Sequence, residues 1–217
     1  MHKAIRTTLI FLTLICFAWP VSAAELNDVV KGVREFYKDK KDLTAQFTQT
    51  ADIKAMGTKK VRTGTVMFKQ PDKMRWDYKK PTQEQLLTDG FTLWNYKPAD
   101  KTVFMSPLNA VFNAKVPMQI LAGKIDVNGE FNATLAEDTG DRYKLILKPK
   151  KEGVGYDSAV LWLNKKTYEI QQIDVIDLYG NVTSLALSGI KYNSGIADSE
   201  FAYTPKPGVE VMTSPVM

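Results

Sequence analysis

The sequence predicts a mainly β fold (α+β): a single, strongly curved antiparallel sheet with an N-terminal helix and a helical insert covering its concave side. Three observations predict it. Short runs of alternating apolar and polar residues recur from Leu43 to Tyr192, separated by Gly, Pro, Asn and Asp. Only residues 26–37 and 106–124 replace that alternation with helical spacing. The chain of 217 residues contains no internal repeat and no low-complexity linker, so one domain accounts for it.

Residues 1–23 read as an export signal. Lys3 and Arg6 make a positive start, residues 9–18 are an apolar run too short for a membrane span, and Val21-Ser22-Ala23-Ala24 offers small residues for cleavage after Ala23 or Ala24. Residues 24–217 then form a soluble exported domain. The only cysteine, Cys16, and the only histidine, His2, both leave with the signal. Leu14-Ile15 ahead of Cys16 lacks the small residue that a lipidation site wants. Without His or Cys the mature chain cannot assemble a Ser-His-Asp triad, a Cys-His pair, a disulfide or a His-ligated zinc site. No metal, no cofactor and no catalytic residue is expected. Glu84, Asp89, Glu130 and Asp138 fall at turns or strand ends without the shared constellation that a carboxylate glycosidase needs.

Charge excludes another class. The formal net charge is +5, of which Lys3 and Arg6 belong to the signal. Lys40-Lys41, Lys59-Lys60, Lys79-Lys80 and Lys165-Lys166 sit at expected turns, where they solvate the chain and discourage edge pairing. They do not form a nucleic-acid surface.

Each element follows from its pattern. Leu26, Val29, Val30, Val33, Phe36 and Tyr37 recur at i, i+3, i+4, i+7, predicting an amphipathic helix over 26–37. Leu43, Ala45 and Phe47 open the first strand, and 61–69 is rich in Val, Thr and Phe. After the turn at Gln70-Pro71-Asp72, Met74, Trp76 and Tyr78 share one strand face while Lys73, Arg75 and Asp77 share the other. Residues 83–88 and 91–96 flank Asp89-Gly90, a two-residue hairpin signal. Residues 101–105 follow. The insert 106–124 carries Pro107 and Pro117 near expected helix starts. Strands resume at 131–136, 142–148, 159–164, 168–178 and 182–192. A short edge strand is expected over 198–203, followed by an extended tail at 209–211.

Four motifs, in order and in register, resemble the LolA-type lipoprotein carriers. They are Asp42-Leu43-Thr44-Ala45-Gln46-Phe47-Thr48-Gln49, the stretch from Lys69-Gln70-Pro71 through Arg75-Trp76-Asp77-Tyr78 to Pro81, Leu87-Thr88-Asp89-Gly90-Phe91-Thr92-Leu93-Trp94-Asn95-Tyr96, and the ending from Phe201 through Gly208 to Val211. The resemblance implies an incomplete antiparallel β-barrel with an α-helical lid. It implies a soluble periplasmic chaperone that takes lipoproteins from the inner-membrane ABC transporter LolCDE to the outer-membrane receptor LolB; the sequence gives no sign of oligomerisation, and a monomer is expected. The expected acyl-chain pocket consists of Phe47, Met74, Trp76, Leu86 and Trp94, of which Met74, Trp76 and Leu86 match pocket positions of the family; the expected lid consists of Phe112, Met118, Ile120 and Leu121, of which Ile120 and Leu121 match its lid helix. Met74 stands where the family often has an aromatic. Gln70 occupies the lid-closure position, where other members carry an arginine. A related carrier of another amphiphile, such as a glycolipid, would share fold and cavity. An outer-membrane receptor would need a lipidated N-terminal Cys, which the context of Cys16 does not offer.

The residues alone leave two readings of Met74, Trp76 and Trp94, as packed core or as a greasy ligand surface. Burying an acyl chain is worth up to ~0.8 kcal/mol per CH₂, so about 16 carbons contribute on the order of 10 kcal/mol. A carrier that must release its cargo needs a competitor for that surface, and the apolar residues of the insert supply one. Met67, Met74, Met105 and Met118 are expected to make that surface adaptable.

Overall fold

The computed structural model describes residues 23–108, 120, 126–136 and 140–213. Among them, twelve strands form one sheet: β1 (Asp42–Ile53), β2 (Thr58–Lys69), β3 (Lys73–Lys80), β4 (Glu84–Thr88), β5 (Thr92–Lys97), β6 (Thr102–Pro107), β7 (Phe131–Ala136), β8 (Arg142–Pro149), β9 (Ser158–Asn164), β10 (Ile170–Ile176), β11 (Val182–Tyr192) and β12 (Glu210–Thr213). Their order is β12-β6-β5-β4-β3-β2-β1-β11-β10-β9-β8-β7. Two antiparallel meanders, β1–β6 and β7–β11, are joined where β1 pairs with β11. The sheet stays open, with β12 and β7 at its edges, as an incomplete barrel does.

Alternation decides which side chains turn inward. Leu43, Ala45 and Phe47 lie opposite Phe68, Val66 and Gly64 on β2, and these lie opposite Met74, Trp76 and Tyr78 on β3. The same face continues through Leu185 and Leu187, Ile173, Leu161 and Leu163, Leu145 and Leu147, and Leu135. These residues form one hydrophobic cluster.

Helix α1 (Ala23–Tyr37) lies against that cluster with Val29, Val30, Val33 and Tyr37 buried. The i, i+3, i+4 spacing of its apolar residues gives it one such face. Tyr37 fixes its C-terminal end. Its hydroxyl accepts the buried Ile170 N–H at 3.1 Å and lies 3.5 Å from the Tyr192 hydroxyl. Gly32 is required there, since a Cβ would come within 2.6 Å of the Tyr168 ring. A short helix, α2 (Val127–Glu130), is capped by Asp126, whose Oδ1 accepts the Gly129 N–H at 2.9 Å. No helix of the described residues is long and apolar enough to cross a membrane.

The structure corrects several expectations. Residues 198–203 do not form an edge strand. Asp198–Phe201 is a 3-10 turn packed on β3, with Phe201 fully buried. The edge strand is β12, in the region expected to be an extended tail, and it pairs parallel to β6. The chain reaches it by recrossing the outer face of the sheet over residues 196–203, against Lys69, Lys73, Arg75 and Tyr96, so that Glu210 enters beside Lys101 at the start of β6 and β12 runs with it. Asp89-Gly90 does not make a two-residue hairpin. The last ladder pair is Thr88 with Leu93, because Asp89 Oδ1 accepts both the Phe91 and Thr92 N–H groups at 2.9 Å and holds a wider loop.

A second apolar layer lies outside the main cluster. Leu87 and Val103 on the outer face are buried, and the Tyr96 and Tyr203 rings meet at 5.3 Å. Beneath the C-terminal segment, Arg75 pairs with Asp77 at 2.9 Å and donates to the Glu200 carbonyl at 3.1 Å. Both members of this pair are half-buried. The signal segment 1–22 and most of the insert lie outside the described residues.

Candidate ligand-binding surface

Rows of directly opposed residues build the candidate surface. One row runs Ala45, Val66, Trp76, Leu86 and Asn95 across β1 to β5. The next runs Leu187, Phe47, Gly64, Tyr78 and Glu84. A third joins Leu43, Phe68, Met74, Thr88 and Leu93. The structure therefore brings Phe47, Met74, Trp76 and Leu86 together on the inner face. Phe47, Met74 and Trp76 are buried and Leu86 is half-buried against the same cluster.

Aromatic rings dominate the centre of this surface. Phe47 meets Trp76 at 4.8 Å and Tyr78 at 5.1 Å, both edge to face, while Trp76 and Tyr78 stack at 6.3 Å. Such pairs add ~0.5–1.5 kcal/mol beyond their area. Gly64 makes the arrangement possible. A Cβ there would sit 2.1 Å from the Asp77 carbonyl oxygen and 2.9 Å from the Phe47 ring. The glycine leaves a gap between two strands that the aromatic rings close over.

The apolar surface ends in charge. The Arg62 guanidinium lies 3.5 Å from the Tyr78 ring centre and pairs with the Glu84 carboxylate, which lies opposite Tyr78. Burial pushes the Tyr78 hydroxyl above its ordinary range, with Arg62 pulling it down and Glu84 pushing it up. Glu84, one of the carboxylates considered above, is thus committed to an ion pair. Among the described residues no cluster of His, Cys, Asp and Glu could hold a metal.

Trp94 does not belong to this surface. It lies opposite Leu87 and Met105, and Leu87 lies opposite Arg75, so Trp94 faces outward. Met67, opposite Arg75, and Met105 face outward with it. The physical reason is strand parity. β4 and β5 pair even-numbered residues with odd ones, so Leu86 and Trp94 cannot share a face. Trp162 is also outward: its indole N–H donates to Asp174 at 2.7 Å, and Arg142 and Lys144 lie over its ring.

Of the expected lid residues, Ile120 is helical and fully buried in the main cluster. Phe112, Met118 and Leu121 lie outside the described residues. The Gln70 side-chain amide donates to the Lys40 carbonyl at 3.0 Å, and its backbone N–H to the Lys41 carbonyl at 2.9 Å, tying the β2–β3 turn to the connection between α1 and β1. Arg62 and Gly64 escaped the sequence reading. A glycine inside a Val- and Thr-rich strand was the available signal for close packing.

The comparisons with known proteins agree with this architecture. A family model described as "Outer membrane lipoprotein carrier protein LolA" matches residues 38–204. The chain belongs to the LolA family. Its relatives include the outer-membrane lipoprotein carrier protein of Methylobacillus flagellatus, 30% identical over 195 residues, covering 89% of this chain and 91% of that one. The protein of the same name from Chromobacterium violaceum is 27% identical over 202 residues, covering 93% and 96%. The crystal structure of an uncharacterized conserved protein from Thermus thermophilus shares the fold of this LolA-family chain. Its TM-score is 0.55 at 14% identity, covering 88% of this chain and 99% of that one.

Proposed function

We propose that this LolA-family chain is a periplasmic, non-catalytic carrier that binds the acyl chains of lipoproteins on its inner sheet face. In this reading the signal is removed after Ala23 or Ala24 and the mature domain works as a monomer. It receives cargo from a LolCDE-like inner-membrane transporter and yields it to a LolB-like receptor. Phe47, Met74, Trp76 and Leu86 contact the hydrocarbon, and Trp94 does not. The single observation that carries the reading is the continuous apolar inner face of an open sheet, in a chain whose relatives are named lipoprotein carriers.

The lid supplies the competition that release demands. Phe112, Met118, Ile120 and Leu121 occupy the apolar face when it is empty, and cargo exchanges one set of apolar contacts for another. Gln70 serves closure as a hydrogen-bond donor without charge. Solvent extraction of the protein purified from a periplasmic fraction tests the assignment. A bound triacylated lipoprotein is the expected result; another lipid, or none, contradicts it.

A further inference from the structure

Two hairpin tips carry a feature that the inner face does not explain. Seven large apolar side chains stand exposed among the described residues, and four of them gather at one end of the sheet. They are Met56 (65% exposed), Val61 (52%), Leu178 (67%) and Tyr179 (88%). Met56 and Val61 belong to the β1–β2 hairpin, Leu178 and Tyr179 to the β10–β11 turn.

The tips adjoin because β1 pairs with β11. Asp52 lies opposite Val182, and the Lys54 N–H donates to Asn181 Oδ1 at 3.0 Å. A Cβ on Gly180 would come within 3.2 Å of the Lys54 ammonium.

The second tip is held rigidly. Asp177 Oδ1 accepts the N–H groups of Tyr179 and Asn181 at 2.8 Å, and Oδ2 takes the Asn181 side-chain amide at 2.7 Å. Gly180 supplies the left-handed backbone (φ 78°). Turn tips ordinarily carry Gly, Asn, Asp or Ser. Here Asp177 and Asn181 fix the turn, and the two outermost positions present a largely exposed Leu and Tyr.

Charge selects the partner. Both neighbouring carboxylates are engaged, Asp177 within its turn and Asp52 with Lys59 at 3.3 Å. Lys54 and Lys60 are exposed and form no ion pair among the described residues. A protruding aliphatic and aromatic tip backed by ammonium groups fits a soft, anionic surface. Leu and Met enter the acyl boundary, Tyr sits at head-group level, and lysines meet phosphate.

We propose that the adjoining β1–β2 and β10–β11 tips form a docking surface for an anionic phospholipid bilayer. This surface lies outside the inner face, so it stands or falls separately from acyl-chain carriage. Co-sedimentation of the mature protein with vesicles tests it, using phosphatidylcholine alone or mixed with phosphatidylglycerol. The protein is expected to sediment with the mixed vesicles, less so at high salt. Leu178→Ser with Tyr179→Ser abolishes sedimentation without moving the thermal midpoint. Lys54→Glu with Lys60→Glu weakens it by roughly fivefold or more for each lysine. Failure of the natural protein to bind mixed vesicles, or unchanged binding by both variants, overturns the proposal. So does binding confined to vesicles that carry membrane proteins, which identifies a protein partner instead. A dimer lost in the Leu178 and Tyr179 variant overturns it in favour of a second copy.

Discussion

Phe47 and Tyr78 meet edge to face at 5.1 Å although a whole strand separates them. They meet because the residue between them is Gly64, opposite both. Phe47 and Tyr78 thus join β1 and β3 directly, at the centre of the candidate surface.

Gly64→Ala tests that relationship. The new methyl meets the Asp77 carbonyl oxygen at 2.1 Å, and backbone cannot rotate away as a side chain can. We expect a loss of roughly 3 kcal/mol. In thermal unfolding this is a midpoint lower by roughly 6–12 °C for a domain of this size. A change under about 1 kcal/mol contradicts the packing described.

Tyr37 predicts an alkaline limit. Burial raises its hydroxyl from 10.0 to about 12 in the folded chain, opposed by its bonds to Tyr192 and Ile170. The unfolded chain therefore releases this proton first. Stability from the neutral hydroxyl is complete below pH 10 and is lost as pH rises from 10 to about 12. At ~1.36 kcal/mol per pKa unit the loss is roughly 2–3 kcal/mol. Tyr192 is pushed up in the same direction, again chiefly by burial. Urea unfolding between about pH 8 and 12 reads the slope. Tyr37→Phe lowers stability at neutral pH by roughly 1–2 kcal/mol, since the Ile170 N–H loses its acceptor, and it flattens the alkaline decline.

Asp42 anchors the start of the C-terminal segment. Its buried carboxylate accepts the N–H groups of Ser194, Gly195 and Ile196 at 2.6, 2.9 and 3.3 Å. Asp42→Ala strands those donors and costs roughly 2–3 kcal/mol. Limited proteolysis shows the effect as new cleavage around residues 194–197, with the rest of the sheet retained.

Asp198 gives the acid counterpart. Bonds from Lys69 and Lys73 lower its carboxyl from 3.8 to about 2. A depressed value means that its contribution is complete above pH 3.8 and fades as pH falls toward about 2. Hydrogen exchange over residues 198–203 therefore accelerates in that window, and Asp198→Asn removes the pH dependence there.

Most of the fold was legible because period-2 alternation reports directly on a half-buried sheet. Leu43, Ala45 and Phe47, and then Met74 and Trp76, fall on the inner face as their spacing requires. The same parity, carried one strand further, forbids Leu86 and Trp94 from sharing a face. What the pattern could not carry is long-range. The pairing of β1 with β11, the return of the chain across the outer face, and the parallel β12 are set by contacts between residues far apart in sequence. Nor does alternation reveal that Phe201 and Leu87 are buried on the outside, since it marks which residues share a face and not what covers that face.

The central claim is that hydrocarbon rests on the inner face. The most direct measurement places a photoreactive phenylalanine analogue at position 86 or at position 94, loads the protein with a radiolabelled triacylated lipopeptide, and irradiates it. The inward position 86 is predicted to cross-link acyl chain while the outward position 94 does not. Equal labelling at both, or labelling at 94 alone, contradicts the account.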